Sequence, residues 1–197
     1  MTFLDRLLRR PVPLEAQLDV LATCGIRPKQ GVTVDDLLYS FDREKYEKEP
    51  YTPLLCILGS ESERDLTTFL SDNVWHLDTE CIEDHGSYAH VAYRMTDLSG
   101  GTLPVSDVRD YVDIESGQAR LSFVLNGEEI KWDARVQDDW IDPAILTKFV
   151  RLLDEQKAGV RFTYLDLKGQ DCIIGCSTED QLRELRNRTR LSFEWLH

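Results

Sequence analysis

The chain is short of most of the features that would announce a function. Its apolar runs are brief: residues 53–58 are among the longest, and nothing approaches the roughly 20 residues needed to cross a bilayer. Methionine occurs only twice and histidine only four times. The five cysteines are an odd number and widely scattered, which excludes a disulfide scaffold. The one close pair, Cys172 and Cys176, has the wrong spacing for a redox CxxC or a zinc knuckle. The chain has no glycine-rich phosphate loop, no HExxH, no facial-triad spacing, no GxSxG and no evident Cys–His nucleophile pair. No cofactor is therefore expected. The basic residues of segment 1–10 follow its apolar ones, an order unlike a secretory signal. The cysteines read as reduced core or half-buried thiols, and a cytoplasmic location is expected.

What the chain has in excess is negative charge. Against 23 lysines and arginines stand 36 acidic residues, a net of −13 over 197 residues. The excess is uneven. Residues 31–98 hold 5 basic and 15 acidic residues, a net of −10, whereas residues 1–30 and 159–197 are close to neutral. Such a field repels nucleic acid and anionic membrane and attracts basic proteins. It also serves plain solubility. With 42% hydrophobic and 30% charged residues, the length suits one folded domain of residues 1–197, with a helical part over 1–100 and a β-rich part over 101–197.

Periodicity predicts an α+β fold in which N-terminal helices pack with a mainly antiparallel sheet. Helices are expected at 3–10, at 14–24 with Leu14, Leu18, Leu21 and Ala22 inward, and after Thr33, whose partner Asp36 completes a capping arrangement. Residues 51–58 suit either a helix stopped by Gly59 or a buried strand, and 60–72 reads as loop. A helix carrying Tyr88, Val91, Ala92, Met95 and Leu98 should end at Gly100-Gly101, with His90 on its surface. Residues 105–112 suit either a strand or a helical turn. The rest reads strand–strand–helix–strand–strand–helix–strand, with Asn126-Gly127 as a hairpin turn, Asp142-Pro143 opening a helix and Thr178 with Gln181 capping the last one.

Residues 73–85 concentrate the chemistry. As a strand, 74–80 places Trp75, Leu77 and Thr79 on one face and His76, Asp78 and Glu80 on the other, with same-face neighbours about 7 Å apart. One expectation is a hard-metal or acid–base site made of His76, Asp78, Glu80 and His85, and with it a metal-dependent hydrolase. The other is a solvated or partner-binding acidic face, with Glu83 and Asp84 favouring the positive end of the following helix. A second candidate is the Trp140 loop, where Asp138 and Asp139 flank an aromatic that either anchors a partner or packs against its own helix. The expected partner-binding set is Asp78, Glu80, Glu83, Asp84, Asp138, Asp139 and Trp140. Four arginines, Arg183, Arg186, Arg188 and Arg190, give the last helix a basic face that is expected to pair with the acidic body.

The run at 73–86, together with 162–175 and the terminal 193–196, resembles uncharacterised bacterial proteins of about this length. The resemblance spans most of the chain and implies no activity. In general character, a small acidic α+β protein with exposed aromatics is also similar to immunity proteins of bacterial toxin systems. That likeness implies a basic protein partner and transfers no residues. Binding of a basic protein is thus expected ahead of an adaptor role in a larger assembly, and both ahead of catalysis.

Overall fold

The structure, a computed structural model, describes residues 11–62 and 65–197, without the side chains of 65–67. The helix expected over 3–10 lies outside the described residues. In chain order the elements are α1 (Leu14–Thr23), α2 (Val34–Ser40), α3 (Arg43–Lys48), α4 (Thr52–Leu58), β1 (Glu61–Ser62), β2 (Asp65–Phe69), β3 (Val74–Asp78), α5 (Ser87–Leu98), β4 (Val105–Asp113), β5 (Gln118–Leu125), β6 (Glu128–Ala134), α6 (Pro143–Glu155), β7 (Arg161–Asp166), β8 (Asp171–Ser177), α7 (Glu179–Thr189) and β9 (Glu194–Trp195). The fold is α+β, as expected, and every strand pair is antiparallel.

A four-stranded sheet in the order β3-β8-β7-β9 forms the central layer. Its strands carry apolar side chains on both faces. Val74, Leu165 and Ile173 point into a core shared with Leu14, Leu21, Leu37, Tyr46, Leu54 and Leu55 of α1–α4 and with Leu182 and Leu185 of α7. Trp75, Leu77, Phe162, Cys172 and Ile174 point the other way, into a core shared with α5, α6 and a second sheet, β4-β5-β6. β5 alternates as its sequence demands, burying Ala119, Leu121, Phe123 and Leu125. Asn126 and Gly127, at φ of 52° and 84°, turn it tightly into β6. Phe123, Trp132 and Phe149 then interlock, with ring centroids 5.0–5.7 Å apart.

Two expectations left open are settled by packing. Residues 52–58 are helical, with Leu54, Leu55 and Leu58 buried, and 105–113 is a strand. Two others are corrected. Residues 60–72 are not wholly loop, since β1 and β2 pair as a short hairpin there. The inward stripe of α1 includes Gln17, which is fully buried. Its amide donates to the carbonyls of Val12 (2.7 Å) and Tyr46 (2.9 Å) and accepts from the Tyr51 N–H (2.7 Å). A buried amide satisfied on both ends is tolerated like an apolar group. The capping motifs at Thr33 and Thr178 form as expected.

Gly59 ends α4 and sets how close that helix comes to the central sheet. Its carbonyl accepts from the His76 N–H at 2.8 Å. A Cβ at Gly59 would stand 2.4 Å from the His76 nitrogen and 2.8 Å from the Trp75 carbonyl carbon, both backbone atoms that cannot swing aside. Gly59→Ala is therefore expected to lower stability by about 1–3 kcal/mol through overpacking. Urea unfolding checks this, and an unchanged midpoint would refute the close docking of α4.

Asp142 caps α6. Burial alone would raise its pKa, but the N–H groups of Arg135 (2.9 Å) and Ala144 (3.1 Å) and the Arg135 guanidinium (3.3 Å) outweigh that and hold it below the usual carboxylate range. A carboxyl with a lowered folded-state pKa stabilises the fold above its unfolded pKa, and the contribution is lost as the pH falls through the folded one. Stability should thus decline on acidification below about pH 4. Asp142→Asn should flatten part of that decline in urea midpoints taken across pH, and an unaltered acid limb in the variant would contradict the assignment.

Candidate functional site

β3 is an edge strand, and its chemistry lies along that edge. The antiparallel register pairs Trp75 with Ile174 and Leu77 with Cys172, and the Thr79 N–H bonds the Gln170 carbonyl at 3.0 Å. Trp75 and Leu77 thus spend their backbone groups on β8, and Thr79 continues the same side beyond it. By the alternation of an antiparallel ladder, Val74, His76 and Asp78 direct theirs away from the sheet. The Val74 carbonyl is met by Arg94 Nη2 at 2.9 Å, and the His76 N–H by Gly59. Beyond that point the edge opens into a groove of about 510 Å³. Ser60, Glu61, Phe69, His90 and Val91 line it, together with Cys81, Glu83 and His85.

The candidate metal ligands do not converge. Among the described residues, no three His, Cys, Asp or Glu side chains are grouped to hold a metal ion. His76 is drawn to Ser60 (3.2 Å) and Asp171 (3.4 Å). Asp78 and Glu80 share the Gln170 amide, at 3.2 and 3.0 Å. His85 bonds Asp84 at 2.6 Å and sets its ring edge-on to Tyr111 at 5.0 Å. The expected set of His76, Asp78, Glu80 and His85 is thus split among three local partnerships. Strand alternation placed His76 and Asp78 on one face correctly. Side-chain contacts from Gln170 and Ser60, distant in sequence, then turned them apart.

The partner-binding candidates fare differently, because two stretches separate in sequence meet. Glu80 bridges Trp140 in antiparallel fashion, the Ile82 N–H bonds the Asp139 carbonyl at 2.8 Å, and the Ile141 N–H bonds the Thr79 carbonyl at 2.8 Å. Asp78, Glu83 and Asp139 come near enough to one sulfur, that of Cys81, to act on it together. Burial first, then those three carboxylates, push its thiol up to about 12. Trp140 remains 38% exposed beside them. Asp84 sits at the far end of this surface, its carboxyl held below the usual range by hydrogen bonds from the His85 ring and N–H.

Glu83 and Asp84 do not cap α5. The N–H groups of Gly86, Tyr88 and Ala89 all donate to the carboxylate of Asp110 in β4, at 2.8–3.2 Å. The helix end is therefore closed by a residue more than twenty positions away, which leaves the carboxylates of Glu83 and Asp84 facing outward. His90 is exposed, as expected, yet its ring also lies against Phe69 and Trp75, and the loss of solvent there pushes its pKa down. The arginines of α7 pair within their own helix, Arg183 with Asp180 and Arg188 with Glu184, while Arg186 donates to the Phe193 carbonyl.

Two catalytic arrangements can be weighed against this geometry. Ser60, His76 and Asp171 fall in line as hydroxyl, imidazole and carboxylate, a grouping that no local sequence signal marks. The Ser60 hydroxyl, however, donates to the Cys56 carbonyl at 2.8 Å, and it stands at the C-terminal end of α4. There the negative end of the helix opposes a developing oxyanion. The line serves to tie α4 to β3. Cys81 lines the groove but is held as a thiol, the form that does not attack.

Alkylation tests that last point. The thiols of Cys56, Cys81, Cys172 and Cys176 are all pushed up to about 11 or 12, chiefly by burial. At pH 8 iodoacetamide should therefore modify the native protein at least about a hundredfold more slowly than the urea-unfolded chain. One cysteine reacting as fast in the native state would mark an activated nucleophile.

A scan of family models, a search of curated proteins and a search of solved structures each found no match to this chain.

Proposed function

We propose that this chain is a protein-binding module that docks a basic protein partner on the acidic surface formed by Asp78, Glu80 and Glu83 with Asp138, Asp139 and Trp140. The observation that carries this reading is the Glu80–Trp140 bridge, which joins two acidic stretches some sixty residues apart around a half-exposed indole. Carboxylates clustered this way steer a cationic partner and set its register, while a tryptophan at the centre supplies buried area. The net charge of −13 adds long-range attraction. A protein built to hold phosphates presents the complementary surface, so a nuclease is the favoured class of partner. Occlusion of its basic cleft is how an immunity protein would act. No described helix is long and apolar enough to cross a membrane.

The test separates this patch from bulk charge. One variant carries Asp78→Asn, Glu80→Gln, Glu83→Gln, Asp138→Asn and Asp139→Asn. A control of equal net charge carries Glu to Gln at the exposed positions 44, 115, 128, 129 and 155. Both are titrated with a panel of basic nucleases at graded salt. The patch variant should lose at least about tenfold in affinity, roughly 1.4 kcal/mol, for a nuclease that the wild type binds, and the control should lose little. Equal losses in both variants, or no salt-sensitive binding across the panel, would overturn the reading.

A further inference from the structure

The open part of the β3 edge offers more than charge. Three backbone groups, the His76 carbonyl and the N–H and carbonyl of Asp78, point away from β8, and no described residue bonds them. They face the groove of about 510 Å³. Upstream, the same edge is closed by Gly59 and Arg94. Exposed strand edges are usually blunted, because unpaired N–H and C=O groups invite another strand. Here only half of the edge is blunted, and the open half lies at the floor of a groove.

The walls specify what would enter. Trp75 and Leu77 lie on one face of β3, with Phe69 and Val91 beside them, and make an apolar wall. On the other face of β3 stands Asp78, and Glu83 also lines the groove. Side chains of an added strand alternate between two sides with a period of two. A segment lying along this edge would therefore place every second residue on the apolar wall and the residues between them against carboxylates.

We propose that the groove takes an extended segment of the basic partner, alternating basic and apolar residues, which adds to the central sheet as a strand against His76 and Asp78. This deepens the acidic docking surface and rests on that reading. Main-chain hydrogen bonds supply part of the affinity in such pairing, and the alternate side chains supply the specificity. The carboxylates of Asp78 and Glu83 select for lysine or arginine on one side, and the Trp75 wall selects for β-branched residues on the other.

The probe is a capped heptapeptide, Lys-Val-Lys-Thr-Lys-Val-Lys, compared with the same peptide methylated at its central backbone nitrogens. Methylation keeps the charge and removes the N–H groups that strand pairing needs. Fluorescence anisotropy should show the unmethylated peptide binding at least about tenfold more tightly. Amide hydrogen exchange should show the Asp78 N–H becoming protected when it binds. Equal affinity of the two peptides, with no protection at Asp78, would overturn strand addition while leaving acidic docking intact. Failure of both peptides to bind at millimolar concentration would overturn it as well, and the nuclease titration then judges the docking reading on its own.

Discussion

The arrangement depends on β8 being apolar on both faces. Cys172 and Ile174 enter one core and Ile173 the other, so the strand has to lie between two layers. A strand buried on both sides gains hydrophobic free energy from every residue, but it cannot lie at an edge without exposing unpaired backbone. β3 and β7 flank it, and the edges of the sheet pass to β3 and β9. β9 is only two residues long, a common way to keep an edge harmless. β3 is the long edge, and how the chain treats it decides where anything else could add.

The chain closes the first half of that edge with a costly device. Arg94 is 2% exposed, and burial pulls its pKa down. Its guanidinium lies 3.6 Å from the centroid of the Phe69 ring and reaches the carbonyls of Ser71 (3.3 Å) and Val74 (2.9 Å), with Asp97 at 3.4 Å. Among the described residues its Nε has no partner. Burying a cation with one donor unmet costs stability unless the remaining bonds offset it. The Ser71 carbonyl just before β3, the Val74 carbonyl at its start, an aromatic face and a carboxylate are what offset it here. The Gly59 carbonyl covers the next N–H. After His76 the covering stops, and the walls diverge into a groove. An edge shielded by a buried arginine on one side of His76 and open on the other shows that exposure along β3 is selective.

Much of the fold could be read from local patterns. The alternation in β5, the Asn126-Gly127 turn, the Asp142-Pro143 start and the Thr178–Gln181 box each rest on contacts within a few residues, and each is present. What the pattern missed is non-local or polar. Gln17 sits on the apolar stripe of α1 because Val12, Tyr46 and Tyr51 come to meet it, and nothing near Gln17 in the chain announces them. The β1–β2 hairpin is two residues wide on one side, too short for period-two alternation to register. In the candidate site, strand periodicity placed Trp75 and Leu77 against His76 and Asp78. It could not place Gln170 between Asp78 and Glu80, or Asp110 at the start of α5, since one arrives from the β7–β8 turn and the other from β4. The junction of residues 78–83 with 138–140 is of the same kind, a bridge between segments that share no local signal.

Solubility alone does not account for where these charges stand. A carboxylate placed for solubility is most favourable far from other carboxylates and from buried groups. Asp78, Glu83 and Asp139 instead gather around one half-buried thiol, and Asp78 and Glu80 share a single amide donor. These carboxylates stand beside an open strand edge and a half-exposed tryptophan. On the proposed reading, charge would govern encounter and select basic side chains, the backbone of β3 would fix the direction and register of what arrives, and the Trp75 wall would favour segments that are apolar on one side.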